Sequence, residues 1–232
     1  MIVYPVNKPM SIIPASTLDF LRELQANNTR EWFAVHKPRY QEAYDQFKTF
    51  ADTVLDKMSH LDNIEALNVF RIYRDVRFSK DKSPYKNHFS ASMSRATKWL
   101  RGGYYFHVEP GASFVGGGFW EPNSADLKRM REGIAANEQG LRKILADPAF
   151  KKTFGQLEGD KLKTAPQGFP KDHPALDLLQ HKQFLVSRKF SDAEVLAPSF
   201  RDDIVTTFRN MRPFFDYMSE ILTTDANGLP LE

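Results

Sequence analysis

Cysteine is absent, which excludes a disulfide scaffold, a cysteine-ligated zinc or iron–sulfur site and any thiol nucleophile. No apolar run approaches the roughly 18 residues needed to cross a bilayer. The opening Met1-Ile2-Val3-Tyr4-Pro5-Val6-Asn7-Lys8-Pro9 lacks the basic stretch and apolar core of a secretory signal. Internal repeats and low-complexity linkers are missing as well. Charge of either sign is scarcely in excess: 32 Lys and Arg against 29 Asp and Glu leave +3, too little for a surface that coats nucleic acid. What the chain does have is aromatic and apolar bulk, with 19 Phe, 8 Tyr and 3 Trp among 232 residues and 41% hydrophobic residues. That is ample for a packed core and incompatible with a disordered chain. These features predict a soluble, cytoplasmic globular protein with no membrane partner. No internal boundary stands out, so a single domain over 1–232 is expected, with 1–15 as an extended arm rich in proline and Leu231-Glu232 as a cloning remnant.

Helical signals cluster at both ends. Ser16 with Asp19 is expected to cap a first helix burying Phe20, Leu21 and Leu24, and Asn28 with Glu31 a second. Pro38 is expected to open a third at its first position. There Tyr40, Tyr44, Phe47, Ala51, Val54, Met58 and Leu61 recur at alternating spacings of four and three, the signature of a long amphipathic helix. Asn123 with Asp126 caps helices bearing Leu127, Met130, Ile134, Leu141 and Leu145. A three-proline loop over 164–174 precedes a short helix at Leu176–Leu179. Ser199 with Asp202 is expected to cap a final helix that Pro213 kinks or restarts.

The middle of the chain alternates with period two. Val69 to Phe78 reads as a half-buried strand, Phe89, Ala91 and Met93 mark a second, and Tyr104 to Glu109 a third. Pro110-Gly111 turns into a fourth at Ala112–Phe119, and Phe184–Arg188 supplies a fifth. Consecutive strands with short connections predict an antiparallel meander. The fold class is therefore α+β: one domain with a central sheet of about four to six strands covered by N- and C-terminal helices.

Charge is spread unevenly. Between Arg71 and Arg101 nine basic residues face only Asp75 and Asp81. In Arg71 to Asn87, the residues Arg71, Tyr73, Asp75 and Arg77 share one face of the expected strand, and the following loop adds Ser79, Lys80, Lys82, Ser83, Tyr85 and Lys86. Guanidinium forks, ammonium groups and hydroxyls are what a phosphate, sulfate or carboxylate requires. Arg71, Arg74, Arg77, Ser79, Lys82, Tyr85 and Lys86 are accordingly the candidate ligand-binding residues. The same pattern also fits ion pairs, with Arg71 and Arg77 flanking Asp75, Arg74 paired to a carboxylate, and Lys80 and Lys82 in a solvated turn. Both arrangements stand at this level.

Further along, His107 and Glu109 share a strand face, and with Asp75 they are the candidate catalytic residues, a general acid–base pair beside a bound anion. His88, His107 and Glu109 have the chemistry of metal ligands only where the strands register opposite one another. No HxH or HExxH spacing is present, so neither metal nor cofactor is expected. Gly116-Gly117-Gly118 lacks the residues of a phosphate loop and reads as close backbone approach within a strand. Tyr104, Tyr105, Phe106, Phe119 and Trp120 suit a base-stacking platform, but alternation sends half of them to the core.

Arg71 to Lys86, Gly102-Gly103-Tyr104-Tyr105-Phe106-His107-Val108-Glu109-Pro110-Gly111 and Gly116-Gly117-Gly118-Phe119-Trp120 together resemble the family called domain of unknown function 2461, widespread in bacteria and fungi. The likeness runs from Asn27-Asn28-Thr29-Arg30-Glu31-Trp32-Phe33 to Arg212-Pro213-Phe214. It takes in Ala165-Pro166-Gln167-Gly168-Phe169 and His173-Pro174. The resemblance carries over no activity, cofactor or catalytic residue. The functional expectation therefore rests on the residues: binding of a phosphorylated or other anionic small ligand at 71–86, with a phosphate-ester hydrolase or transferase as its enzymatic form. The alternative is a non-catalytic module docking an acidic protein surface or nucleic acid through the basic loop.

Overall fold

A computed structural model describes residues 12–77, 80–225 and 227–231. Ser79 and most of the expected extended arm lie outside them.

The first helix, α1 (Ala15–Ala26), buries Phe20, Leu21 and Leu24. It starts one residue before Ser16, which caps nothing; Pro14 takes the cap position and its carbonyl accepts from the Thr17 amide at 3.0 Å. The next two expected helices are one continuous 30-residue helix, α2 (Arg30–Ser59). Thr29 caps it by accepting from the Trp32 amide, while Asn28 is used elsewhere. Pro38 lies inside α2, and both it and Ala34, whose carbonyl loses its partner, are exposed. Water can take up that carbonyl, so the helix runs through. Pro213 behaves alike within α8 (Phe200–Thr223), where it and Arg209 face solvent. The Ser199 side chain makes no capping bond there.

Five strands form one antiparallel sheet in the order β1-β2-β3-β4-β5: β1 Ile64–Val69, β2 Phe89–Arg95, β3 Gly103–Val108, β4 Ser113–Phe119 and β5 Phe184–Phe190. The protein is thus a single-sheet α+β fold with a meander at its centre. Of the strand expected over Val69–Phe78, Val69 closes β1 and the described residues from Phe70 to Arg77 form no strand. Pairing with β2 ends as β2 itself begins at Phe89, so nothing stands opposite the chain beyond Phe70, whose amide bonds the Ser90 carbonyl. Residues beyond Phe70 form an irregular loop that folds back through one isolated bridge, Tyr73 to Tyr85. It buries Ile72 and stacks Tyr85 on Phe33 with ring centres 3.9 Å apart.

The helices α2 and α8 cover one face of the sheet. Phe47 meets Phe89 and Phe106 at 5.5 Å, and Tyr104 meets Phe208 at 4.8 Å and Phe215 at 5.1 Å. Each such fully buried side chain contributes about 1.5–3 kcal/mol. The intervening helices α3 (Ser124–Ala136), α4 (Glu138–Ala146), α5 (Pro148–Phe154), α6 (Leu176–Leu179) and α7 (Asp192–Leu196) complete the shell. Of these α5 and α7 had no clear periodic signal. Among the described residues no helix is long and apolar enough to cross a membrane.

Arg95 occupies the last position of the core face of β2. Its side chain is fully buried; Nε donates to Asp62 Oδ2 at 2.7 Å, Nη1 donates to the Arg101 carbonyl at 3.1 Å, and Nη2 pairs with Asp216 of α8. Tyr104 donates its hydroxyl to the same Asp62 oxygen at 2.5 Å. Arg95 and Arg101, which pairs with Asp126, are therefore withdrawn from the basic run seen in the sequence. Replacing Arg95 with Met should leave the buried Asp62 with only Arg212, 4.0 Å away, as its cation and cost roughly 3–5 kcal/mol. Urea unfolding measures this, and the double variant Arg95→Met, Asp62→Leu should recover part of the loss.

Candidate functional site

The face of the sheet away from α2 and α8 stays open. Registers place Ser92 beside Tyr105, Tyr105 beside Gly116 and Gly116 beside Ser187 across β2 to β5; one row along, Ser90, His107, Phe114 and Lys189 line up. Above them lies a groove of about 790 Å³ whose lining includes Ser92, Ser94, Tyr105, Phe114, Trp120 and Ser187. The triple glycine belongs to its floor. At Gly118 φ is +135° and an added Cβ would stand 2.1 Å from the Phe184 carbonyl oxygen, so the run serves strand approach rather than phosphate binding.

At one end of the groove the register meets the condition that the sequence left open. With Phe89 opposite Val108, His88 falls beside Glu109. His107, 7% exposed, lies between the ring of His88, centred 4.0 Å away, and that of Phe114 at 4.8 Å. Its Nε2 is 2.7 Å from Glu109 Oε2, and its Nδ1 is 3.0 Å from the Tyr105 hydroxyl. A carboxylate only accepts, so Nε2 carries the proton and Nδ1 accepts from tyrosine. Asn87 fixes the other Glu109 oxygen, donating to Oε1 at 2.7 Å. Burial lowers the pKa of both imidazoles, that of His88 to about 3; the partner histidine and Lys86 also oppose charge on His88, while Glu109 favours it on His107. The donor atoms of His88, His107 and Glu109 lie within 4.8 Å of one another, so these are the residues that could hold a metal. The hydrogen bond between His107 and Glu109 already occupies two of them.

The basic loop is divided. Asp75 directs its hydrogen bonds to Arg77, and both are exposed; this contact joins Asp75 to the loop and not to His107. Arg74 pairs with Asp81 at 2.9 Å, yet its Nε is buried without a partner. Lys82 Nζ donates to the Val76 carbonyl. Tyr85 is buried, its backbone held by both ends of the Asn28 amide at 3.0 and 3.2 Å. Arg74, Lys82 and Tyr85 do share the lining of a second cavity, about 630 Å³, with Asn28 and Arg30. For Arg71 and Lys86 no carboxylate lies within ion-pair distance among the described residues. Lys86 is half-buried over the Phe70 ring, and burial, followed by repulsion from Arg71 and Arg74, lowers its pKa.

The structure thus brings together His107 and Glu109, sets Lys86 near His107 with Arg71 and Arg74 near Lys86, and leaves Asp75 and Arg77 as an ion pair. Sequence reasoning missed Tyr105 as a partner of His107, although Tyr105, His107 and Glu109 share one strand face at period two. It had no signal for Asn28 or Arg30, which come from a distant helix corner.

A protein-family model described as a conserved hypothetical protein (DUF2461) matches residues 16–217, and the chain belongs to that family. No curated protein and no solved structure matches it.

Folded His88 takes up its proton only near pH 3, against a usual value of 6.5. The unfolded chain therefore binds more protons between those values, and stability that is intact above pH 6.5 falls as the pH drops through the window. Replacing His88 with Gln should flatten the decline by up to about 1.4 kcal/mol per pH unit. Urea midpoints at pH 7.5 and pH 5.0 measure it; equal slopes in both proteins would contradict a buried neutral His88.

Proposed function

We propose that this protein binds an anionic organic ligand, of the phosphate-ester class, at the end of the open groove. Lys86, Arg71 and Arg74 take its charge, and the aromatic groove lined by Tyr105, Phe114 and Trp120 takes its body. The observation that carries the reading is the placement of Lys86 near Arg71 and Arg74, of which only Arg74 has a carboxylate, Asp81, at ion-pair distance among the described residues. Lys86 is half-buried, is opposed by Arg71 and Arg74, and has no carboxylate of its own among the described residues. A folded protein keeps cations close together at a cost, and an anion between them would turn that cost into attraction. The buried Arg74 Nε, without a hydrogen-bond acceptor, adds an unmet donor to the same neighbourhood.

The enzymatic form, hydrolysis or transfer of the ester, draws on the His107–Glu109 pair beside these cations. Docking of an acidic macromolecule is the competing use of the loop, and the exposed Arg77 and Lys82 are the side chains it would employ. Binding of that kind weakens steeply with salt, whereas a partly buried cation cluster is screened less.

Thermal unfolding with inorganic phosphate, sulfate and phenyl phosphate tests the reading. At a hundred times the dissociation constant, binding stabilises by about 2.7 kcal/mol, which for a domain of this size raises Tm by roughly 5–10 °C. Lys86→Ala and Arg71→Ala should lose most of the rise while Lys80→Ala keeps it. If no anion shifts the parent protein more than the first two variants, the anion site does not exist.

A further inference from the structure

We infer that Tyr105, His107 and Glu109 form a proton relay in which the Tyr105 hydroxyl is the reacting group, a nucleophile toward the phosphorus of an ester lying in the groove. The inference rests on the groove of the proposed function as the place where a ligand lies, and not on the cations.

Three observations carry it. The first is the hydrogen-bond chain, in which the Tyr105 hydroxyl meets His107 Nδ1 at 3.0 Å and His107 Nε2 meets Glu109 Oε2 at 2.7 Å. A hydroxyl within reach of a base, with that base oriented by a third group, is the arrangement that activates otherwise weak oxygen nucleophiles. The second is the fixing of each link. Asn87 anchors Glu109, Glu109 sets the tautomer of His107, and the rings of His88 and Phe114 hold the imidazole from either side. His107 therefore presents a lone pair to tyrosine and nowhere else. The third is access, because Tyr105 lines the groove while His107 is closed off behind it, which leaves the phenol as the member of the array that a ligand can touch.

The step balances without any further reagent. The Tyr105 oxygen attacks phosphorus as its proton passes to His107 Nδ1, a P–O bond to the enzyme forms, and the bond to the leaving alkoxide breaks. Glu109 balances the imidazolium, and the leaving alkoxide, on the far side of phosphorus, takes its proton from water in the groove. The hydroxide so formed attacks phosphorus and releases the phosphate, while the imidazolium returns its proton to the departing tyrosine oxygen. Burial holds the resting phenol in its protonated form, as a hydroxyl activated only during the step requires. The ionisable and charged neighbours of His107 are Tyr105 and Glu109 on β3, His88 and Lys86 on the chain entering β2, and Lys189 on β5, opposite Phe114. The imidazole stays neutral as burial and Lys86 outweigh Glu109.

An aryl sulfonyl fluoride tests this directly, since it transfers its sulfonyl group to an activated phenol with loss of fluoride and needs no anion site. Labelled sites are identified by peptide mass spectrometry, with Tyr73, 44% exposed, as internal control. At pH 7.5 Tyr105 should react at least about tenfold faster than Tyr73. Its rate should be flat within about twofold from pH 7 to 9, because a neutral imidazole is the base throughout, while that of free N-acetyltyrosinamide climbs about tenfold per pH unit. His107→Gln should slow Tyr105 about a hundredfold and Glu109→Gln at least about tenfold. The inference is overturned if Tyr105 reacts no faster than Tyr73, or if its rate climbs with pH as that of the free phenol does. Should His107→Gln fail to fold, the pH profile of the parent protein decides alone. Full labelling in Lys86→Ala together with loss of its phosphate response would leave both readings standing, each on its own measurement.

Discussion

The pairing of Arg95 with Asp62 is the constraint around which the molecule is organised. One guanidinium, buried at the end of β2, ties the chain just past α2 to β2, to Tyr104 on β3 through the shared carboxylate, and to α8 through Asp216. It thereby joins the segment after α2, two neighbouring strands and α8 at a single point. Such an ion pair adds little net stability against a well-packed apolar substitute. What it does impose is geometry, because only one placement of α8 against the sheet satisfies both carboxylates and the Arg101 carbonyl. Pro213 sits one residue past Arg212, which bonds the Leu61 carbonyl. The same helix segment is therefore clamped where its backbone ladder is interrupted.

From that placement the asymmetry of the sheet follows. One face receives α2 and α8 and carries the aromatic core; the other is left to Ser92, Ser94, Tyr105, Phe114 and Ser187. Strand alternation makes the two faces independent. The core face can be filled for stability while its neighbours in sequence are free for chemistry: Tyr104 packs against Phe208 and Phe215, and the next residue, Tyr105, meets His107.

Much of this was legible in the sequence and some was not, for identifiable reasons. The strand runs at 89–93, 104–109 and 112–119 and the stripe from Tyr40 to Met58 were strong because each sends one apolar face into the core. The alternation over 69–78, broken only by Arg74, still gave no strand over the described residues beyond Phe70, since a strand requires a partner and β2 begins too late to supply one. Pro38 and Pro213 read as breaks because proline costs a hydrogen bond, and whether water can replace that bond depends on which face is exposed, a property of the tertiary structure. Arg95 read as part of a basic surface because a buried cation differs from an exposed one only through partners 33 and 121 residues away.

At the candidate site the distinction lies between pairs formed within one strand and groups assembled across the fold. His107 and Glu109 are two residues apart, so alternation alone put them side by side. Their setting is not local: Asn87 and His88 arrive from the end of the irregular loop, Phe114 from β4, and Lys86 from the loop anchored by Asn28. That loop lost its strand for want of a partner and is free to fold back, and its return carries Lys86 and His88 over the open face. The strand lost beyond Phe70 and the approach of Lys86 to His107 are thus one event. Had the segment after Val69 paired as its alternation invites, Arg71 and Arg77 would stand on a flat sheet edge with no cavity to enclose. The irregular backbone is what lets Lys86 approach a buried imidazole, and it leaves Lys86 and Arg71 with no carboxylate at ion-pair distance among the described residues, whereas Arg74 is matched by Asp81 and Arg77 by Asp75.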